Sequence, residues 1–89
     1  MNKTIITVVG KDSIGIIAKI CTYLSDARVN MLDISQTIVD GFFNMIMVVD
    51  MPSEVDFGKL NDELQLLGEE LGVIIKMQRE DIFNKMHRI

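Results

Sequence analysis

The chain holds one cysteine, one histidine, one proline, one tyrosine and no tryptophan in 89 residues. A single cysteine closes no disulfide within the chain, so a reducing, cytoplasmic setting is expected. Cys21 and His87 supply too few ligands for a tetrahedral zinc site. Gly10 and Gly15 do not form G-x-G-x-x-G, and no Gly-Lys-Ser/Thr occurs, so no phosphate-cradling loop and no cofactor is expected. The longest unbroken apolar run, Met45 to Val49, is far short of the roughly 20 residues that cross a bilayer. Met1-Asn2-Lys3-Thr4 leads directly into an alternating segment instead of the apolar centre of a signal peptide. Positive charge is also short: nine Lys and Arg against thirteen Asp and Glu give a net charge of −4. That balance disfavours a nucleic-acid backbone. Gly41-Phe42-Phe43 offers no base-stacking platform either, because adjacent strand residues face opposite ways.

What the chain has in quantity is apolar side chains, at 48% of residues, with 25% charged. This composition packs into a domain. At this length only about 60% of the unfolded surface is buried, so the core is a modest reserve of stability. Residues 3–9 are rich in Ile, Thr and Val and read as a strand ended by Gly10. Asp12 or Ser13 is placed to cap a helix over 14–27, whose apolar stripe is Ile17, Ile20, Cys21, Leu24 and Ala27. Asn30 marks the turn out of that helix. Residues 31–39 and 42–51 read as two strands joined by Asp40-Gly41, a strong hairpin signal. Ser53 and Asp56 have the spacing of a capping box. Phe57, Leu60, Leu64, Leu67 and Leu71 then define a second helix closed by Gly72, and residues 73–79 form a fourth strand. The order strand–helix–strand–strand–helix–strand is the α+β, ferredoxin-like βαββαβ arrangement, with two helices on one face of a four-stranded antiparallel sheet. Residues 1–79 make the domain, and residues 80–89 a short helical tail with Ile82, Phe83, Met86 and Ile89 on one side.

The third strand is largely apolar on both faces: Phe42, Asn44, Ile46 and Val48 alternate with Phe43, Met45, Met47, Val49 and Met51. A sheet with one wet face should alternate polar and apolar. The tail or a second subunit is therefore expected to cover the open face, and a homodimer or higher homo-oligomer is expected from the small size and this two-sided apolarity. Charge is segregated too. Residues 50–70 carry seven acids against Lys59, while Lys76, Arg79, Lys85 and Arg88 lie further on. This pattern describes a solvated helix face and a mixed-charge tail, or complementary surfaces that set register between subunits.

Catalytic constellations are absent from the pattern. Cys21 reads as a core cysteine, and no spacing joins Asp12, Asp33 and Asp50 into an acid/base pair, so the chain is not expected to be an enzyme. The loop Gly10-Lys11-Asp12-Ser13-Ile14-Gly15 stands out. The free N–H groups of a helix start seat a carboxylate. Gly15 lets a ligand approach the backbone, and Asp12 or Ser13 can accept from an ammonium group. Helix capping by Asp12 or Ser13 accounts for the same residues.

Gly10-Lys11-Asp12-Ser13-Ile14-Gly15-Ile16-Ile17-Ala18, followed by Asn30-Met31-Leu32-Asp33-Ile34-Ser35-Gln36, resembles the ACT domain over residues 3–79. The segments 67–73 and 78–89 resemble a family of stand-alone bacterial and archaeal ACT-domain proteins. The resemblance implies domain pairing and amino-acid binding between two domains. The expected contacts are Asp12, Ser13, Gly15 and Ile16 in the loop, with Asn30, Met31 and Leu32 closing the site. Many ACT loops carry Arg-Pro before the glycine, where this chain has Ser13-Ile14. No catalytic or DNA-binding domain accompanies it, so regulation would act on a protein partner. The alternative is a structural protein–protein interaction module with no ligand.

Overall fold

The computed structural model describes residues 3–11 and 15–79. Its elements are β1 (Lys3–Lys11), α1 (Ile16–Asp26), β2 (Asn30–Val39), β3 (Phe42–Asp50), α2 (Phe57–Leu71) and β4 (Val73–Arg79). The strands form one antiparallel sheet in the order β2-β3-β1-β4. This is the ferredoxin-like topology that the element order predicts. The tail expected over residues 80–89 lies outside the described residues.

The core sits between the sheet and the two helices. Ile6 and Val8 of β1, Phe43, Met45, Met47 and Val49 of β3, and Val73, Ile75 and Met77 of β4 meet Ile16, Ile20 and Leu24 of α1 and Leu60 and Leu64 of α2. Period-2 burial on the strands meets period-3.6 burial on the helices, so each element hides one face. Burying each such side chain contributes about 1.5–3 kcal/mol. Ile17, Ala27, Phe57, Leu67 and Leu71 pack at the margin of this core, and Cys21 is half-buried. Between the helices, the Tyr23 hydroxyl donates to the Glu63 carboxylate.

Several boundaries differ from the sequence expectation, each for a local reason. β1 does not stop at Gly10 but runs through it to Lys11. Glycine is needed there because a Cβ would lie 2.5 Å from Val73 Cγ1 on the neighbouring strand. α1 begins at Ile16, with Gly15 at the N-cap position in a left-handed conformation (φ 90°). The turn out of α1 belongs to Arg28 (φ 64°), while Asn30 is already the first residue of β2. The Val29 amide donates to the Leu24 carbonyl and the Arg28 amide to the Ser25 carbonyl. That pair of bonds is a Schellman closure, and its hydrophobic contact comes from Leu24 and Val29, both buried. The cap of α2 is Asp56, whose Oδ1 accepts from the Lys59 amide at 3.2 Å, and Ser53 lies outside the helix. As expected, Asp40 and Gly41 both have positive φ (52° and 80°), and Gly72 closes α2 at φ 76°.

Gly68 has a role that helix propensity does not suggest. It is buried, and a Cβ at this position would lie 2.7 Å from the carbonyl oxygen of Val73. The absence of a side chain is what lets α2 approach the backbone of β4 so closely.

Candidate ligand-binding site

The candidate site residues fall at the two ends of the sheet. β1 climbs from Lys3 to Lys11, so Gly15 and Ile16 follow at the end marked by Phe42 and Val73, the partners of Lys11 and Gly10. α1 then runs back along the sheet. β2 starts at the opposite end, where Asn30 pairs with Asp50 and Asp50 with Lys3. At about 3.3 Å per residue, the eight steps from Lys3 to Lys11 separate the two groups by roughly 26 Å. Within one chain, therefore, the structure does not bring Gly15 and Ile16 together with Asn30, Met31 and Leu32. Asp12 and Ser13 lie outside the described residues.

At the end of β1, Gly15 is exposed, and apart from its chain neighbours no heavy atom lies within 4 Å of where its Cβ would be. Its carbonyl accepts from the Lys19 amide at 3.0 Å, so the first turn of α1 is formed directly behind it. Glycine is needed here by its positive φ, and the space above it is open. Ile16 is 4% exposed and belongs to the core, so it holds the helix start in place.

Asn30, Met31 and Leu32 lie on the edge strand. Asn30 and Leu32 are exposed and Met31 is half-buried. The pairing of β2 with β3 shifts between Met31 and Asp33, which leaves Leu32 in a bulge. Asp33 Oδ1 accepts from the Ile34 amide at 2.8 Å just beyond it. From Asp33 to Val39 the register is unbroken. Ile34 and Ile38 lie opposite Met47 and Phe43 and so face the helix layer, yet they are 41% and 60% exposed. The helices do not cover this edge. Sequence reasoning missed the edge as a feature, although its lack of Lys and Pro was readable.

A groove of about 360 Å³ runs between the helices, lined by Ala18, Lys19, Thr22, Tyr23, Asp26 and Leu67. None of the described candidate site residues lines it. Among the described residues no group of His, Cys, Asp and Glu could hold a metal ion, and no helix is long and apolar enough to cross a membrane.

A four-stranded sheet in the order β2-β3-β1-β4, two helices on one face and a glycine-started first helix can be compared with known proteins. Residues 2–78 match the sequence profile of the ACT domain. The chain belongs to the ACT domain family. It is 61% identical to a UPF0237 protein of Bifidobacterium longum over 90 residues, covering 100% of both chains. An ACT domain protein from Streptococcus pneumoniae superposes with a TM-score of 0.83 at 41% identity, covering 92% of this chain and 93% of that one. A chain provisionally named as a glycine cleavage system transcriptional repressor aligns with a TM-score of 0.76 at 26% identity, covering 88% of this chain and 45% of that one. ACT domains are typically regulatory and non-catalytic, and they commonly bind ligands.

Proposed function

We propose that this ACT domain is a non-catalytic regulator that pairs through β2 and binds a free amino acid across the pair, altering its contact with a partner protein. The observation that supports this reading is the placement of Gly15 and of Asn30, Met31 and Leu32 at opposite ends of a sheet whose β2 edge is uncovered. Two-fold pairing of antiparallel β2 edges is self-complementary. It reverses the direction of the second strand, which carries Asn30, Met31 and Leu32 of one protomer to the end where Gly15 of its partner lies. The open space over Gly15 and the amide groups of the first α1 turn then form a seat for a carboxylate, and the partner's strand closes it. The resemblance to a chain provisionally named as a repressor supports a regulatory output.

Thermal denaturation of the full chain against the common amino acids tests the proposal. Binding to the folded state stabilises by RT ln(1 + [L]/Kd), about 2.7 kcal/mol at a hundredfold excess over Kd. One or a few amino acids are expected to raise Tm in a saturable way. A panel that leaves Tm unchanged, with the dimer intact, leaves the interaction module without a ligand as the function. Gly15→Val is expected to abolish the stabilisation without changing the oligomeric mass, since its side chain would occupy the open space and strain the helix start. Unimpaired binding by that variant would remove Gly15 from the site.

A further inference from the structure

The outer side of the helix layer carries a cleft that the candidate site does not use. α1 and α2 run antiparallel: Lys19 shares one depression with Leu67, Tyr23 meets Glu63, and Ala27 shares a second depression with Lys59. The Tyr23 hydroxyl donates to the Glu63 carboxylate, and this bond bridges the cleft between the two depressions. The larger, about 360 Å³, has Ala18, Thr22, Tyr23 and Leu67 as its apolar wall. The smaller, about 180 Å³, has Ala27, Val55 and Leu60. Ala18, Lys19, Thr22 and Asp26 are exposed, so the larger is an open cleft that encloses no small molecule. The smaller lies below the roughly 300 Å³ at which small-molecule sites begin. Leu66 is 61% exposed. It follows Glu63 by three residues and so stands on the rim of the same cleft.

Charge is layered in the same way. The helices with their adjoining turns, residues 15–28 and 52–72, hold seven acids against Lys19, Arg28 and Lys59. The described strands and hairpin instead hold Lys3, Lys11, Lys76 and Arg79 against Asp33, Asp40 and Asp50. Around the cleft itself Asp26, Asp56 and Glu63 outnumber Lys19 and Lys59, and Glu69 and Glu70 extend the excess along α2. We propose that this cleft is the docking surface for a basic amphipathic helix of a partner protein, its apolar ridge laid between α1 and α2. Leu67 and Leu60, one in each depression, are seven residues apart on α2, about 10.5 Å or two helical turns. A helix lying along the cleft meets both depressions with side chains at i and i+7, which share one face. Lys and Arg flanking that face meet the acids of the rim, and an acidic helix is repelled. The cleft is where the partner protein of the regulatory reading sits, and only the expectation of a protein partner rests on that reading. Docking here needs neither an amino acid nor pairing through β2.

Two fluorescein-labelled synthetic peptides of identical composition test this against the full chain, without added amino acid. One carries Leu at i, i+4 and i+7 on a background of Lys and Ala; the other has the same leucines spread around the helix. Fluorescence anisotropy is expected to show saturable binding of the first, roughly tenfold or more tighter than the second. Amide shift changes in nuclear magnetic resonance should centre on Thr22, Tyr23, Glu63 and Leu67. Thr22→Arg fills the larger depression and repels a basic flank, so it is expected to weaken binding roughly tenfold or more with the circular dichroism of the parent. Asn44→Arg makes the same charge change on the opposite face of the sheet and should leave binding unchanged. Equal binding of the two peptides, equal loss in the two variants, shift changes centred on the sheet, or no saturable binding would each overturn the inference. Peptide binding and the amino-acid panel are measured separately, so either reading can fail while the other holds.

Discussion

The two edge strands of the sheet have opposite fates. β4 alternates buried and exposed, with Val73, Ile75 and Met77 in the core, and α2 lies against it closely enough that Gly68 meets the Val73 carbonyl. β2 is longer, at ten residues, and nine of them are exposed. It is held by β3 on one side and presents its other backbone edge to solvent. β4 is thus part of what makes one chain fold, whereas β2 is built as a surface. Natural edge strands are usually blunted by Lys, Pro, bulges or shortness. β2 has one bulge near its start and one charge, Asp33, and from Ile34 to Val39 it has neither Lys nor Pro. That difference places monomer stability on the β4 side and makes the β2 side the edge through which pairing is proposed.

The comparison breaks first at Gly68. Gly68→Val forces a side chain against backbone that cannot step aside, and overpacking of this kind costs about 3 kcal/mol. The midpoint of urea unfolding is expected to fall accordingly. A midpoint at or above that of the parent chain would mean that α2 does not clamp β4. Next, Ile34→Lys places a charge on the uncovered edge, twice in a symmetric pair, and is expected to weaken self-association at least tenfold, about 1.4 kcal/mol. Light scattering at micromolar concentration should then return a mass near 10 kDa, with the circular dichroism of the parent. Ile74→Lys on β4 is the control and should leave the mass of the pair unchanged; dissociation by Ile74→Lys alone would move the interface to the open face.

Smaller effects sharpen the picture. Asp56→Ala removes the side-chain cap of α2 and should cost about 1 kcal/mol in chemical denaturation, felt on the β4 side. Asp40→Ala leaves the β2–β3 turn in place but loses a residue suited to left-handed backbone. It should cost roughly 0.5 kcal/mol and leave the oligomeric mass as it was.

The fold was legible because its signals are local. Val-, Ile- and Met-rich strands, the Asp40-Gly41 turn, the leucine spacing of α2 and Gly72 each announce an element within a few residues. Less legible were features set by a distant neighbour. Gly10 looks like a strand terminator until Val73 is seen beside it, and Gly68 looks like a weak helix position until the Val73 carbonyl is seen beneath it. Arg28 takes the left-handed turn that Asn30 seemed to announce, because Leu24 and Val29 meet in the core and fix where the helix closes. The candidate site was readable as two motifs but not as a place, since nothing in Gly15 or Asn30 states how far apart the sheet will hold them.

The sequence alone therefore determined the element order, the hairpin and the apolar stripes, because each depends on residue type and short-range spacing. Tertiary structure decided which edge is clamped and which is bare, which glycines are close approaches, and that the two motifs of the site stand at opposite ends of the sheet. Those outcomes depend on strand order and on contacts between residues far apart in the chain, and no local pattern encodes them.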